Sequence, residues 1–381
     1  MTRTGLLAVF ALGTCFVPTA PAADIKPVAT LTYHHEPIQS LAFTPKGDRL
    51  VSVAYKEIVL TDLKDPANTK IFSAFQPNEY AWGTPRVRSD GLYIAVGGTY
   101  YVNSNTMTYP CSIRLFRIGE HREAIPPEVE PRSGGPEPPR GPEQPKFRIV
   151  ERIDPAGEVG ATQADDYEHD TMSEVAFSTT NARLAAVRYN SVKKKYVLGL
   201  YDAESRQTNN DAVYTSDSPL KLIYTPDGKT LVTADAKGKV ILWKTANATR
   251  RNEYETHKGA VHDLAVDPDS KTLATAGDDK TVKLWDLEKG ELKHTLAGHT
   301  DAVLCVAYSR DGKYLASGGK DHNVKLWDAA TGKELATIEA HLNSVTCLAF
   351  APDGKTLATG STDKEVRLWD VDKALKPKSE K

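Results

Sequence analysis

The sequence predicts an all-β fold made of stacked repeats, and three observations carry that prediction. Trp243, Trp285, Trp327 and Trp369 stand 42 residues apart. The same step leads from His257 to His299 to His341, and from Gly228 through Ser270 to Gly312 and Gly354. Within each unit, short alternating runs rich in Val, Leu, Thr and aromatic residues are separated by turn residues such as Asp311-Gly312 and Asp353-Gly354. That pattern means about four strands per unit and no helix. A repeat of roughly 20–50 residues decides the architecture before any motif does, because one unit cannot bury its apolar face alone.

Composition narrows the function classes. The 381 residues hold 48 Lys+Arg against 50 Asp+Glu, so no strong cationic field is available for nucleic acid or a membrane surface. Four Cys are too few for a disulfide scaffold, and none lies in a C-x-x-C pair suited to zinc or redox exchange. Cys305 and Cys347 occupy equivalent places in adjacent units and read as small buried side chains. Gly134-Gly135 lies in a Pro-rich stretch rather than between strand and helix, so no phosphate-binding loop and no cofactor are expected. Strand neighbours point to opposite faces, so surface or structural roles, not a metal site, are expected for His34-His35.

In chain order, residues 1–23, MTRTGLLAVFALGTCFVPTAPAA, read as a secretory signal. Arg3 is the cationic start, Leu6 to Val17 the apolar run, and Ala20-Pro21-Ala22 the small-x-small cleavage site. About 12 apolar residues span about 18 Å as a helix, short of a bilayer core of about 30 Å, so no membrane span is expected. Leu12-Gly13-Thr14-Cys15 is similar to a lipoprotein box that would anchor the chain through Cys15, but Thr14 stands where a smaller residue is usual. The expected location is a periplasm or the cell exterior.

The last three units read THKGAVHDLAVDPDSKTLATAGDDKTVKLWD, GHTDAVLCVAYSRDGKYLASGGKDHNVKLWD and AHLNSVTCLAFAPDGKTLATGSTDKEVRLWD. With Trp285-Asp286, Trp327-Asp328 and Trp369-Asp370 at their ends, they resemble the tryptophan-aspartate (WD) repeat family of β-propellers. The resemblance implies one four-stranded antiparallel blade per unit. A fourth unit, ending at Trp243, keeps Pro226-Asp227-Gly228 and Thr233 but has Lys244 after its Trp. Three weaker copies lie upstream, with Tyr201, Phe116 and Thr61 in the Trp place. A seven-bladed propeller over residues 24–373 is therefore expected, followed by a Lys-rich tail at 374–381. The segment KPVATLTYHH aligns Leu31 with Leu296 and Ile338, so the N-terminal strand is expected to complete the last blade of a monomeric ring.

The same resemblance implies structural tetrads: His257, Thr275, Asp279 and Trp285; His299, Ser317, Asp321 and Trp327; His341, Thr359, Asp363 and Trp369. Ser, His and Asp together invite a catalytic reading, but a triad occurs once beside an oxyanion hole, whereas this set recurs three times and has Thr as often as Ser. The implied role is a buried relay from indole to hydroxyl to imidazole to carboxylate. The fourth unit departs from it, with Thr215 at the His position and Lys237 at the Asp position, and of the earlier units only His34 aligns with His299.

Two insertions remain. Residues 119–146 are Pro-rich with interleaved charge and read as a spacer, after which KFRIVERI fits the outer strand of the second unit. The segment GTYYVNSNTMTYPC carries Tyr100, Tyr101 and Tyr109, and Lys193 and Lys194 belong to the matching loop of the third unit. With Asp278, Lys320 and Thr362 beside the tetrad carboxylates, these residues define one loop face for a protein partner. The expectation is a non-catalytic interaction scaffold. The alternative is a propeller enzyme or small-ligand binder using the central channel, with His262 and Asp263 as candidates.

Overall fold

The computed structural model describes residues 25–54, 57–66, 69–73, 86–87, 93–98, 112–117, 148–153, 171–178, 183–190, 195–202, 208–214 and 219–376. Signal segment 1–23, spacer 119–146, residues 99–110 and Lys193 and Lys194 lie outside them.

Strand β1 (Ala29–Leu31) comes first, followed by β2 (Ile38–Phe43), β3 (Arg49–Ala54), β4 (Glu57–Asp62) and β5 (Lys70–Ser73). Next are β6 (Arg86–Val87), β7 (Tyr93–Gly98), β8 (Ser112–Arg117) and β9 (Arg148–Ile153). The third group is β10 (Thr171–Phe177), β11 (Arg183–Asn190), β12 (Lys195–Asp202) and β13 (Thr208–Tyr214). Then come β14 (Pro219–Tyr224), β15 (Thr230–Asp235), β16 (Lys239–Lys244) and β17 (Thr249–Glu255). The fifth group is β18 (Val261–Val266), β19 (Thr272–Gly277), β20 (Thr281–Asp286) and β21 (Leu292–Ala297). The last two are β22 (Val303–Tyr308), β23 (Tyr314–Gly319), β24 (Asn323–Asp328) and β25 (Glu334–Glu339), then β26 (Val345–Phe350), β27 (Thr356–Ser361) and β28 (Val366–Asp370). A short helix α1 (Val371–Ala374), capped by the Asp370 side chain, follows the final strand.

Each group is an antiparallel meander with its first strand innermost. The inner strands pack in a closed circuit: β2 on β26, β26 on β22, β22 on β18, β18 on β14, β14 on β10, β10 on β6, and β6 on β2. The expectation of seven four-stranded blades is corrected to six complete ones. Among the described residues the inner strand of β6–β9 is Arg86–Val87, paired with Ala95 and Ile94, so that unit has three full strands there. In the sequence, Gly83 and Pro85, the latter without a backbone N–H to give to a ladder, stand just before this strand, whereas the complete blades have Val303–Tyr308 or Val345–Phe350 there.

Register shows that the degenerate copies are true repeats. Trp243, Trp285, Trp327 and Trp369 lie opposite Leu231, Leu273, Leu315 and Leu357. Thr61, Phe116 and Tyr201 lie opposite Leu50, Ile94 and Leu184, the same rung of the ladder. Each Trp faces the preceding sheet: Trp327 is buried among Ala274, Val282, Leu284 and Leu296, and Trp369 among Ala316, Val324, Leu326 and Ile338. Truncating such an indole costs ~3–5 kcal/mol.

The ring closes through β1. Ala29, Thr30 and Leu31 pair with Leu368, Arg367 and Val366. Leu31 thus meets Val366 just as Leu296 meets Val282 and Ile338 meets Val324, which is the sequence alignment in physical form.

The outer hairpins constrain glycine. Gly290 has a φ of +73°, and a Cβ there would run into the Tyr254 ring of the neighbouring sheet. Gly290→Ala is expected to destabilise the protein by about 1–3 kcal/mol, read as a lowered urea midpoint with unchanged slope.

Candidate functional site

The best-formed polar constellations lie where the chain passes from one sheet to the next. Trp285 Nε1 donates to Thr275 Oγ1 at 3.1 Å, that hydroxyl meets His257 Nε2 at 2.7 Å, and His257 Nδ1 meets Asp279 Oδ1 at 2.7 Å. In the next unit the corresponding distances are 2.8 Å from Trp327 to Ser317, 2.8 Å from Ser317 to His299, and 2.8 Å from His299 to Asp321 Oδ2. The last unit has 2.9 Å from Trp369 to Thr359, 2.7 Å from Thr359 to His341, and 2.9 Å from His341 to Asp363 Oδ2. Each carboxylate also accepts the backbone N–H just after the histidine, from Lys258, Thr300 and Leu342. The structure therefore brings all twelve tetrad residues together as three separate relays.

Proton order follows from satisfaction. A neutral imidazole donating Nδ1–H to Asp leaves Nε2 to accept the hydroxyl proton, and the hydroxyl oxygen accepts the indole N–H. The hydroxyls of Thr275, Ser317 and Thr359 are sealed from solvent, with residue exposures of 0%. No substrate reaches them, so the arrangement fixes loops and does not present a nucleophile. Burial, opposed by Asp279 and Asp363, holds His257 and His341 below the ordinary 6.5 and keeps them neutral. Burial raises the carboxyls of Asp279, Asp321 and Asp363, but their histidine, hydroxyl and backbone donors outweigh it, and all three end below the ordinary 3.8.

The fourth unit keeps only part of this. Trp243 Nε1 donates to Thr233 Oγ1 at 3.0 Å, while Asp235 caps the turn by accepting from Lys237 N and Lys239 N. Thr215 lies outside the described residues.

The turns beside the relays, three residues long in two units and four (362–365) in the last, have a left-handed residue directly after the relay Asp: Lys280 at φ +66°, His322 at +68° and Lys364 at +72°, matching Gly238 at +89°. This is the hairpin type in which a residue in the left-handed region closes the turn. The second residue is the relay Asp, and the first is Asp278, Lys320 or Thr362. Asp278 and Lys320 are exposed and Thr362 is half-buried. Asp278 accepts from His262 Nε2 at 2.6 Å and from Ala260 N at 3.1 Å. The other predicted face residues, Tyr100, Tyr101, Tyr109, Lys193 and Lys194, fall outside the described residues.

The channel candidates are engaged in the scaffold. Asp263 Oδ2 accepts Val306 N from the next sheet at 3.0 Å, and His262 is held by Asp278. One sheet further on, Cys305 Sγ reaches Val345 O, and Thr346 Oγ1 donates to Ile38 O at 2.5 Å. The inner strands are thus stitched sheet to sheet by side chains. Cys305 and Cys347 are buried, and burial with nearby Asp263 pushes the Cys305 thiol well up, making it unreactive. Among the described residues no group of three or more His, Cys, Asp or Glu is arranged to hold a metal ion.

Two features escaped the sequence reading. Leu342, beside a relay histidine, is 81% exposed on the loop face; an apolar residue in a polar turn was its only signal. Glu57 accepts from His35 Nδ1 at 2.7 Å and His35 N at 3.1 Å, giving the first unit a carboxylate 22 residues after His35 and so one position beyond the slot that the same spacing from His34 gives.

Asp321→Ala is expected to lower stability by about 1–3 kcal/mol in chemical denaturation, because the Nδ1–H of His299 and the Thr300 N–H lose their acceptor. The pH profile has a worked sign. His257 and His341 take up protons more readily in the unfolded chain, so their contribution is complete above pH 6.5 and is lost as pH falls below it. The carboxylates add a second loss as pH falls below 3.8. A plot of Tm against pH should be flat near 7–8 and descend in those two steps, and a His257→Asn, His341→Asn variant should start lower with a shallower first step.

Residues 260–379 match the family model described as the first β-propeller of IFT122, and residues 25–59 match that of the WD domain, G-β repeat. No curated protein matches the chain. No helix among the described residues is long and apolar enough to cross a membrane. Propellers of this kind are typically protein-interaction scaffolds and generally non-catalytic. The matched segments lie at both ends of a ring whose strands share one Trp register, and the chain is a WD-repeat β-propeller.

Proposed function

We propose that the protein is a non-catalytic interaction scaffold that presents its inter-sheet loops and relay turns to a protein partner. The observation that carries this is the coupling of exposed side chains to buried relays. Lys320 is adjacent to Asp321, and Leu342 donates its own N–H to Asp363, so solvent-facing groups sit on backbone bonded to the carboxylates of the buried relays. Rigid display lowers the conformational entropy lost on binding, about 0.5–1.5 kcal/mol for each side chain that need not be immobilised. Asp278, Lys320 and Thr362 form one part of the face, and Tyr100, Tyr101, Tyr109, Lys193 and Lys194 are assigned to it from their places in the repeat.

The reading includes export to a periplasm or the cell exterior through the leader at 1–23, based on its charge, apolar run and cleavage site. The partner is therefore an envelope or extracellular protein.

A double variant, Lys320→Glu with Leu342→Asp, tests the face. Both sites are exposed, so thermal stability should change by less than about 0.5 kcal/mol. Cross-linking and co-purification from the native envelope fraction should lose the partner by about tenfold or more. Full retention of every partner by the folded double variant would remove this face from the proposal.

A further inference from the structure

The three complete relays place their Asp second in a turn of three or four residues, but only two residues separate β3 from β4. The slot for the Asp is missing. Ser52 pairs with Val59 as Thr275 pairs with Lys283 and Ser317 with Lys325, which puts Glu57 at the rung of Thr281 and Asn323, two residues beyond the usual carboxylate. Its side chain is one methylene longer than that of Asp and reaches back to the amide after the relay histidine, while His34 Nδ1 is near it without a hydrogen bond. Glu57 Oε2 accepts His35 N at 3.1 Å, as Asp321 accepts Thr300 N at 2.9 Å. The same oxygen lies 3.4 Å from His34 Nδ1, and Oε1 meets His35 Nδ1 at 2.7 Å. His34 Nε2 completes the likeness with Ser52 Oγ at 2.7 Å, over the 18-residue spacing seen in the other relays. Thr61, in the Trp place and 1% exposed, offers no indole, and its Oγ1 has no hydrogen-bond partner among the described residues.

The position of this altered relay matters. His34 and His35 lie in the link that carries the chain from β1, in the last sheet, to β2, in the first. β1 has only three residues, and besides its ladder the segment adds Val28 N to Leu368 O at 2.7 Å. A strand that short is weak without a fixed exit. We propose that Glu57 is a latch: a displaced relay carboxylate that holds the link at His34 and His35 and so keeps the closing strand β1 seated on β28. Released, β1 would leave the edge of β28 open.

Hydrogen–deuterium exchange by mass spectrometry on the full chain tests this, with peptides covering 25–37 and 366–370 compared with those covering 303–328. Glu57→Ala should speed exchange in the first two by about tenfold, the effect of losing a charge-assisted hydrogen bond, and leave 303–328 unchanged. His35→Ala, which removes an exposed imidazole, should speed the same peptides by a smaller factor. Asp321→Ala should show the reverse pattern. If Glu57→Ala does not fold, Glu57→Gln takes its place with the same expected pattern. Wild-type exchange at 25–37 and 366–370 in the Glu57 variant, or equal acceleration in every peptide, would overturn the latch.

Discussion

A four-stranded antiparallel sheet with two apolar faces is unstable by itself, and every other feature of this molecule answers that constraint. Each sheet covers one face of the next, so the stack is complete only when the last sheet meets the first. The indoles show how the contact is made: Trp243, Trp285, Trp327 and Trp369 each insert into the sheet before their own. Where the last sheet meets the first there is no indole. There Ile38, Leu41, Phe43 and Leu50 pack against Cys347, Ala358, Val366 and Leu368, with Leu31 of β1 completing the cluster.

Polar order follows the same route around the ring. A chain leaving one sheet for the next exposes backbone N–H groups at the crossing, and a buried orphan costs about 1–3 kcal/mol. The relay Asp answers this by accepting both from the imidazole and from the following amide. Inner-strand side chains do comparable work nearer the axis, with Asp263 bonded to Val306 N and Thr346 to Ile38 O. Asp263, which looked available for channel chemistry, is thereby committed to joining sheets, while His262 is held by Asp278 of its own sheet.

The fold was legible because its signals are periodic. A step of 42 residues survives loss of any one residue, so Ser270 in place of a turn Gly and Lys244 in place of Asp did not hide their units. Ser270 even recovers part of the cost of its left-handed φ of +59° by accepting Asp227 N from the adjacent sheet. The weak inner strand of the second unit was overcounted, because a repeat frame assigns a full strand wherever the spacing has room, while among the described residues only Arg86 and Val87 pair there.

The sequence alone determined the repeat, the Trp rung, the three tetrads and the strand that closes the ring, since each depends on spacing along the chain and on side-chain type. Only the tertiary structure decided the rest. That Glu57 holds the link after His34 was hidden by the alignment of His34 with the relay histidines, because a turn shortened by one residue shifts the carboxylate to another rung and the compensation happens in space. That His262 and Asp263 are bound within the scaffold depends on neighbours 16 and 43 residues away. Leu342 became visible as an exposed anchor for the same reason: exposure belongs to the packed ring, not to the residue.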